Sequence, residues 1–296
     1  MYAQSSTDIS HESTPADYFS LLKPRVMSLV VFTGICGMVL APNFSSIHPF
    51  LAVIAIACLS IGAGAAGAFN MWYDRDIDAI MHRTQNRPIP AGRIQPADGL
   101  AFAIILSVCA VMIMGLAVNW MAAGILAFAN LFYSVIYTMW LKRATPQNIV
   151  IGGAAGAFPP MIGWAAVTGD ISLDPVILFA IIFFWTPPHF WALSLFANED
   201  YKRANVPMLT VTHGERTTKI QMMAYTLLLF PLCLVPYFTG LSTFAYAIAA
   251  SVLNILFIIS AARVLKAETG KHKTARHMFA YSIFYLFAMF GALLIF

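Results

Sequence analysis

The sequence predicts an all-α integral membrane protein with nine transmembrane helices around a central cavity. Of its 296 residues, 60% are hydrophobic and 10% are charged, and the mean hydropathy is +0.76. A soluble domain carries about 25% charged residues, so this composition excludes one. The apolar residues form runs of about 20, the length at which an α-helix crosses a bilayer. Strands of a membrane barrel would be shorter and would alternate polar and apolar residues.

The nine apolar stretches predict the order of the helices. The predicted spans are 22–40, 49–69, 97–118, 120–140, 148–167, 175–196, 220–239, 242–263 and 276–295. Two long, charged connections, 70–96 and 197–219, follow the second and the sixth span. The first four spans and the next four therefore share one orientation, as in a parallel repeat of two four-helix halves with a ninth helix added. We expect the two connections to cover one cavity between the halves.

Charge placement predicts the topology. All 17 Lys and Arg residues lie near the N-terminus or in the even-numbered connections. By the positive-inside rule, the N-terminus and these connections are cytoplasmic, and the C-terminus lies outside. The net charge of +4 is thereby explained, and nucleic acid is excluded as a partner because there is no basic soluble domain.

The first 20 residues are polar and are predicted to form a flexible tail before a membrane domain at 21–296. They show neither the pattern of a signal peptide nor that of a transit peptide. This favours a bacterial plasma membrane, in which the chain would be a multi-pass inner-membrane protein.

Asn70, Asp74 and Asp78 form the most informative motif, at the end of the second span. Positions four apart advance only about 40° around an α-helix, so the three side chains are predicted to share one face. Carboxylate and amide oxygens suit Mg²⁺, which in turn suits a diphosphate, and arginines can bind the same anion. The arginines that follow are Arg83, Arg87 and Arg93. The alternative is a solvated acidic helix end that these arginines neutralise.

A second polar segment, 198–203, opens the other long connection. Its position opposite the first motif predicts that Asp200 holds a second metal ion. Lys202, Arg203 and Lys142 are then candidates for binding phosphate oxygens. Taken alone, such a segment is typical of a solvated loop, and that alternative stays open.

Two features predict helix irregularities and close packing. Pro187 and Pro188 are predicted to interrupt the sixth span beside a cavity, because each removes a backbone donor. Gly152, Gly153 and Gly156 in the fifth span are small enough to let neighbouring helices approach closely.

His189 lies in the aromatic stretch 183–191, roughly 12 Å below the membrane surface if the segment is helical. An ionisable residue inside the membrane is a functional candidate. The surrounding rings could stack on a flat ligand or stabilise a carbocation. The alternative is a buried histidine bonded to a carbonyl that the two prolines leave free.

The chain resembles the UbiA-type intramembrane prenyltransferases, whose first motif, N-x-x-x-D-x-x-x-D, is matched by Asn70, Asp74 and Asp78. It is similar in particular to the heme-farnesylating members of that family. The stretches that carry this similarity are Leu22–Val26, Asn70–Asp78, Arg83–Pro90, Gly153–Trp164, Thr186–Leu193 and Asp200–Met208.

The resemblance implies a Mg²⁺-dependent enzyme that joins the farnesyl group of farnesyl diphosphate to a vinyl group of heme b. Addition of water would complete heme O, with diphosphate as the other product. It implies catalytic roles for Asp74, Asp78, Asp200 and His189, and heme contacts for His189 and Trp191. Metal ligands would be Asn70, Asp74, Asp78 and Asp200, and diphosphate ligands Asn70, Arg83, Arg87, Lys142, Lys202 and Arg203. The resemblance also implies the lipid bilayer as a partner, and heme A or terminal-oxidase assembly proteins as downstream partners.

Three alternatives remain at this point. A prenyltransferase for an aromatic quinone precursor would need a full second D-x-x-x-D motif, which this chain lacks. A transporter would scatter charges at mid-membrane, whereas the acids here concentrate at one side. A structural assembly factor could bind heme through His189 without turnover.

Overall fold

The computed structural model of the protein describes residues 13–296 and confirms the all-α prediction within that range. Its long helices, numbered in chain order, are α1 Pro24–Leu40, α2 Pro49–Tyr73, α3 Pro96–Ala117, α4 Trp120–Ala144, α5 Asn148–Thr168, α6 Leu173–Phe196, α7 Gly214–Phe238, α8 Phe244–Lys266 and α9 Lys273–Ile295. Eight of them are long and apolar enough to cross a membrane, and α1 makes a ninth when counted with the bent helix before it. Each predicted span corresponds to one of these helices.

Six of the helices surround a central cavity of about 580 Å³, as the sequence predicts. These six are α1, α2, α4, α5, α6 and α9. Helix α3 packs outside α2, helix α7 packs outside α6, and α8 packs against α7 and α9. The order of the helices fits two four-helix halves, but the halves differ at their last member. Helix α4 lines the cavity, but α8, the last helix of the second half, does not. The ninth helix, α9, lines the cavity in its place.

The predicted tail, 1–20, is partly structured. Residues 1–12 lie outside the described residues, but Pro15–Leu21 forms a short helix that meets α1 at an angle of 54°. The Asp17 carboxylate in this helix accepts a 2.7 Å bond from the guanidinium of Arg93 in the first long connection. That ion pair anchors the segment, so the flexible-tail prediction is wrong for its last part.

The proline pairs of α5 and α6 behave differently. Helix α5 consists of two helical pieces that meet at Phe158, directly before Pro159. Helix α6 runs without interruption through Pro187 and Pro188, so the predicted break is wrong. Both prolines of α6 are buried between neighbouring helices, and this packing maintains the helix although two backbone donors are missing.

Glycines allow α1 and α5 to cross in backbone contact. A Cβ atom at Gly163 would overlap the carbonyl oxygen of Gly34, and one at Gly37 would overlap the backbone of Pro160. This crossing fixes the position of the middle of α5 relative to α1. Close approach through small residues is how membrane helices associate without a hydrophobic driving force.

The three glycines singled out in α5 have two different environments. Gly152 packs against the ring of Tyr137, and a Cβ at Gly153 would lie 2.9 Å from the Thr186 side chain. The close-packing prediction is confirmed for these two. It is wrong for Gly156, which faces the cavity and would have no atom within 4 Å of an added Cβ.

We expect Gly163→Ala to lower the melting temperature of the purified protein in detergent by several degrees. The added methyl group must displace the backbone of α1, and such overpacking costs about 1–3 kcal/mol. Gly156→Ala, in the same helix, is the control and should leave the melting temperature unchanged. Equal melting temperatures for both variants would contradict the tight crossing.

Candidate active site

The first motif keeps its helical spacing across the end of α2. The amide of Asp74 donates to the carbonyl of Asn70 (2.9 Å), and the amide of Asp78 donates to the carbonyl of Asp74 (2.8 Å). The side chains are all buried, with 4%, 0% and 2% of the surface of Asn70, Asp74 and Asp78 exposed. The spacing therefore places three oxygen-bearing groups together at one end of the helix bundle.

Asp74 lies at the centre of this group. Its carboxylate accepts a 2.6 Å bond from Nδ2 of Asn70 and forms an ion pair with the ammonium group of Lys142. The other carboxylate oxygen, Oδ1, is buried without a hydrogen bond within residues 13–296, and a guanidinium nitrogen of Arg143 lies 3.5 Å from it. A buried carboxylate oxygen in this state is costly. Coordination to a hard cation would satisfy it.

The other two groups of the motif also contact cations. The ammonium group of Lys23 donates to Oδ1 of Asn70 (2.7 Å), and the guanidinium of Arg87 donates to Asp78 (2.5 Å). Lys23 precedes α2 in the sequence and Arg87 follows it. The motif therefore links the start of α1 to the first long connection. Each oxygen-bearing side chain is thus matched by a cation.

These residues fit a magnesium ion that shares its coordination sphere with phosphate. Within the described range, no three His, Cys, Asp or Glu side chains come together as a metal site. Mg²⁺ typically uses one or two carboxylates and completes its octahedron with water and substrate phosphates. Asp74, Asp78 and the amide of Asn70 match that donor set.

A long π-helical segment, Phe132–Leu141, positions Lys142 in α4. The amide of Lys142 bonds to the carbonyl of Tyr137, five residues earlier. In an α-helix, Lys142 would lie roughly 180° around the axis from Tyr133. The wider turns of the π-helix bring Tyr133, Tyr137 and Lys142 to the cavity together.

Lys23 is a site residue that sequence reasoning missed. It has a left-handed backbone (φ 53°) between the short N-terminal helix and α1, and its side chain enters the cavity wall. A non-glycine residue in this region is strained, and such strain is concentrated at functional sites. The segment Lys23-Pro24 indicates only a helix start, so the sequence gives no signal for this geometry.

The polar end of the cavity is strongly basic. Among the described residues, five cationic side chains line it, against one carboxylate, that of Asp78; the Asp74 carboxylate is fully buried and does not line the cavity. The five are Lys23, Arg25, Arg83, Arg87 and Lys142. Such a concentration of positive charge is complementary to a polyanion.

Asp200 has a different environment from the predicted one. Its carboxylate accepts bonds from the backbone amides of His82 (3.3 Å) and Arg83 (3.4 Å) and pairs with the guanidinium of Arg203. Partial burial raises the pKa of Asp200, but these donors outweigh it and lower the pKa below its ordinary value. Asp200 thus connects the two long loops, and its oxygens are already engaged, which argues against a second metal ligand.

The other basic candidates lie outside the cavity. Lys202 is half exposed and pairs with Glu199, and Arg203 is exposed and pairs with Asp200. The prediction that these two bind diphosphate is therefore not supported by their positions. Arg93 pairs with Asp17 instead of joining the site.

Asp76, between the two buried carboxylates in the sequence, forms a bidentate pair with Arg143 (2.7 Å to each oxygen). These charge-assisted bonds lower the pKa of Asp76. The carboxylate is well exposed and lies outside the cavity.

His189 lies deeper in the cavity, stacked between two aromatic rings. Its ring centroid is 4.4 Å from that of Trp185 and 4.7 Å from that of Phe279. Nδ1 lies 2.6 Å from the hydroxyl of Ser282, and that hydroxyl donates its single proton to the carbonyl of Phe279 (2.6 Å). With the hydroxyl proton on the Phe279 carbonyl, the hydroxyl accepts from Nδ1–H, and this tautomer of the neutral ring leaves a lone pair on Nε2.

Trp191 does not share this environment. It is fully buried away from the cavity and meets Tyr225 of α7 edge-on, at a centroid distance of 5.5 Å. The prediction that Trp191 contacts the flat ligand is wrong, because two residues along a continuous helix correspond to a rotation of about 200° from His189. Trp185, one turn before His189, occupies the predicted place.

The chain belongs to the UbiA prenyltransferase family, because the sequence model of that family matches residues 30–283. The family resemblance drawn from Asn70, Asp74 and Asp78 is thereby confirmed.

Relatives and solved structures agree with this assignment. The protoheme IX farnesyltransferase of Agrobacterium fabrum is 57% identical over 296 residues, covering 99% of this chain and 92% of the relative. A solved structure of digeranylgeranylglyceryl phosphate synthase has a TM-score of 0.78, with 21% identity and coverage of 95% of this chain and 97% of the other. A UbiA homolog from Archaeoglobus fulgidus bound to GPP and Mg²⁺ has a TM-score of 0.66, with 15% identity and coverage of 94% and 99%. The two structures establish the shared fold.

We expect Lys142→Met to weaken binding of inorganic diphosphate by about tenfold or more, the loss of one charge-assisted contact. Calorimetric titration of the purified protein with Mg²⁺ and diphosphate measures this. Lys202→Met removes the same charge from the exposed segment and should change the affinity less than twofold. A loss of similar size for both variants would contradict the assignment of the anion site to the cavity.

Proposed function

We propose that this UbiA-family prenyltransferase transfers the farnesyl group of farnesyl diphosphate to a vinyl group of heme b, with addition of water, to give heme O and diphosphate. The observation that carries this proposal is the cavity, which combines a cationic, oxygen-rich end with an apolar, aromatic interior. The 57% identity to a protoheme IX farnesyltransferase supports the choice of farnesyl and heme as substrates.

The polar end would bind the diphosphate. Asn70, Asp74 and Asp78 would hold Mg²⁺, which stabilises the charge on a phosphate leaving group. Arg87 and Lys142, already beside these side chains, would donate to the phosphate oxygens. The carbon–oxygen bond of the farnesyl group breaks there, and its electron pair leaves with the diphosphate.

The aromatic interior would hold the acceptor. The allylic carbon forms a bond to the terminal vinyl carbon, and the positive charge moves to the vinyl carbon beside the porphyrin ring. Water adds to that carbon and loses a proton, so a hydroxyl group remains. Ring faces such as those of Trp185 and Phe279 stabilise the cation and exclude other water.

His189 would act through Nε2. This nitrogen would either bind the heme iron or guide the attacking water by accepting the proton that the water loses. Both roles need the lone pair that the Ser282 contact leaves on Nε2.

The protein would lie in the bacterial plasma membrane with its N-terminus in the cytoplasm and its C-terminus outside. The restriction of Lys and Arg to alternate connections supports this orientation. Both substrates would then meet at the cytoplasmic end, and heme A or terminal-oxidase assembly proteins would receive the product.

We expect Asp78→Asn to reduce heme O formation in isolated membranes by about a hundredfold or more, because it removes a metal ligand. Mass spectrometry of extracted hemes, with and without farnesyl diphosphate, measures the product. Asp76→Asn, two residues away and outside the cavity, is the matched control and should retain activity. Chelation of Mg²⁺ should stop turnover of the unmodified protein reversibly.

Normal heme O formation by Asp78→Asn, or in the presence of chelator, would contradict the proposed use of the motif. Prenylation of an added aromatic acid in place of heme would instead favour the quinone-precursor reaction.

We expect Ser282→Ala to reduce heme O formation about 10- to 100-fold, as loss of a contact that orients a histidine typically does. The indole of Trp185 bonds to the backbone carbonyl of Ser282 (2.9 Å), so this change leaves the stacking partner in place. Titration with heme b, followed by absorbance, should show an altered heme spectrum. Ser282→Thr keeps the hydroxyl and should restore both properties. An unchanged heme spectrum with full activity would contradict the role of the contact.

A further inference from the structure

Phe158 separates two hollows in the protein. One is the central cavity, and the other is a groove of about 490 Å³ on the outer surface of α4 and α5. The groove is lined by apolar residues that include Trp120, Gly124, Phe128 and Ile171. Phe158 lines both hollows, and 9% of the residue's surface is exposed. Removal of this ring would therefore open the cavity into the groove.

The ring is held firmly in place. It meets Phe128 edge-on at 5.5 Å and tilts against Phe179 at 5.0 Å. Its backbone lies at the break of α5, directly before Pro159 and Pro160. These prolines lie against the glycines of α1, so the break cannot shift without moving that helix. Phe158 is thus a rigid part of the wall.

The part of the cavity that leads to Phe158 suits an extended apolar chain. Below Asn70, the wall of α2 is formed by Ala66, Ala63 and Leu59, and Leu59 lies about 16 Å from Asn70 along the helix. The small residues leave room beside α2. The bulky rings that surround His189 belong to α6 and α9 instead. The prenyl chain and the flat acceptor can therefore occupy different sides of the cavity.

We propose that Phe158 determines the length of the prenyl chain, by closing the end of the cavity that the terminal isoprene unit of the donor reaches. This inference rests on the proposed function, because it takes the diphosphate to be bound at Asn70, Asp74 and Asp78. A donor that is one isoprene unit longer would need the space that the ring fills. With the ring removed, the longer chain passes into the groove beside Gly124.

The chain offers variants that act in opposite directions. Phe158→Ala joins the two hollows, and Phe158→Leu opens them only partly. Gly124 has no atom within 4 Å of an added Cβ, so Gly124→Leu can fill the groove from the other side. Gly156→Val would instead narrow the cavity itself, where there is also space.

The experiment is a competition between geranyl, farnesyl and geranylgeranyl diphosphates at equal concentration, with heme b as acceptor and mass spectrometry of the products. Phe158→Ala should raise the ratio of geranylgeranyl to farnesyl product by about tenfold or more, the scale on which pocket size discriminates. Phe158→Leu should give an intermediate ratio. Gly124→Leu should restore the original ratio in the Phe158→Ala background and change nothing alone, and Gly156→Val should favour geranyl.

A binding measurement accompanies the competition, since chain length is a property of the donor. Affinities of the three diphosphates, measured by thermal shift with Mg²⁺ present, should show the same change of preference. A folded, active Phe158→Ala or Phe158→Leu variant with unchanged product and affinity ratios would overturn the inference. Failure of the unmodified protein to prenylate heme with any donor would contradict the proposed function. The affinity ratios would still test whether Phe158 closes the end of the cavity.

Discussion

The burial of two carboxylates and an amide at the end of an apolar helix is the constraint on which the rest of the structure depends. Such groups are stable there only with partners, and their partners come from separate parts of the chain: Lys23 before α1, Arg87 in the first long connection and Lys142 at the end of α4. Each of these contacts fixes the position of one element at this end of the helix bundle. The position of the motif thus determines how α1, α2 and α4 meet, and their meeting forms the polar end of the cavity.

The cavity combines two environments that are hard to provide together. Departure of a diphosphate needs cations and hydrogen-bond donors, whereas a carbocation survives only where water and anions are scarce. The protein separates these needs along the membrane normal, with charges at the loops and apolar or aromatic side chains within the bundle. Asp200 contributes indirectly, because its bonds to the amides of His82 and Arg83 hold one loop over the other.

Most of the fold and the centre of the site could be predicted from the sequence, because they depend on hydropathy and helical periodicity. The nine helices and the shared position of Asn70, Asp74 and Asp78 are of this kind. The resemblance implied a heme contact for Trp191, but the helical periodicity of the uninterrupted α6 turns this residue away from the cavity and places Trp185 beside His189. Lys23 could not be predicted, since its left-handed backbone results from tertiary packing and leaves no pattern in the sequence.

The π-helical segment of α4 has a consequence for how this region can evolve. Its wide turns bring Tyr133 and Lys142 to the same side, and removal of one residue would rotate everything beyond it around the helix axis. Lys142 would then leave Asp74, although every side chain kept its identity. Natural selection should therefore preserve the number of residues between these positions more strictly than the residues themselves, and tolerate insertions or deletions only outside the segment.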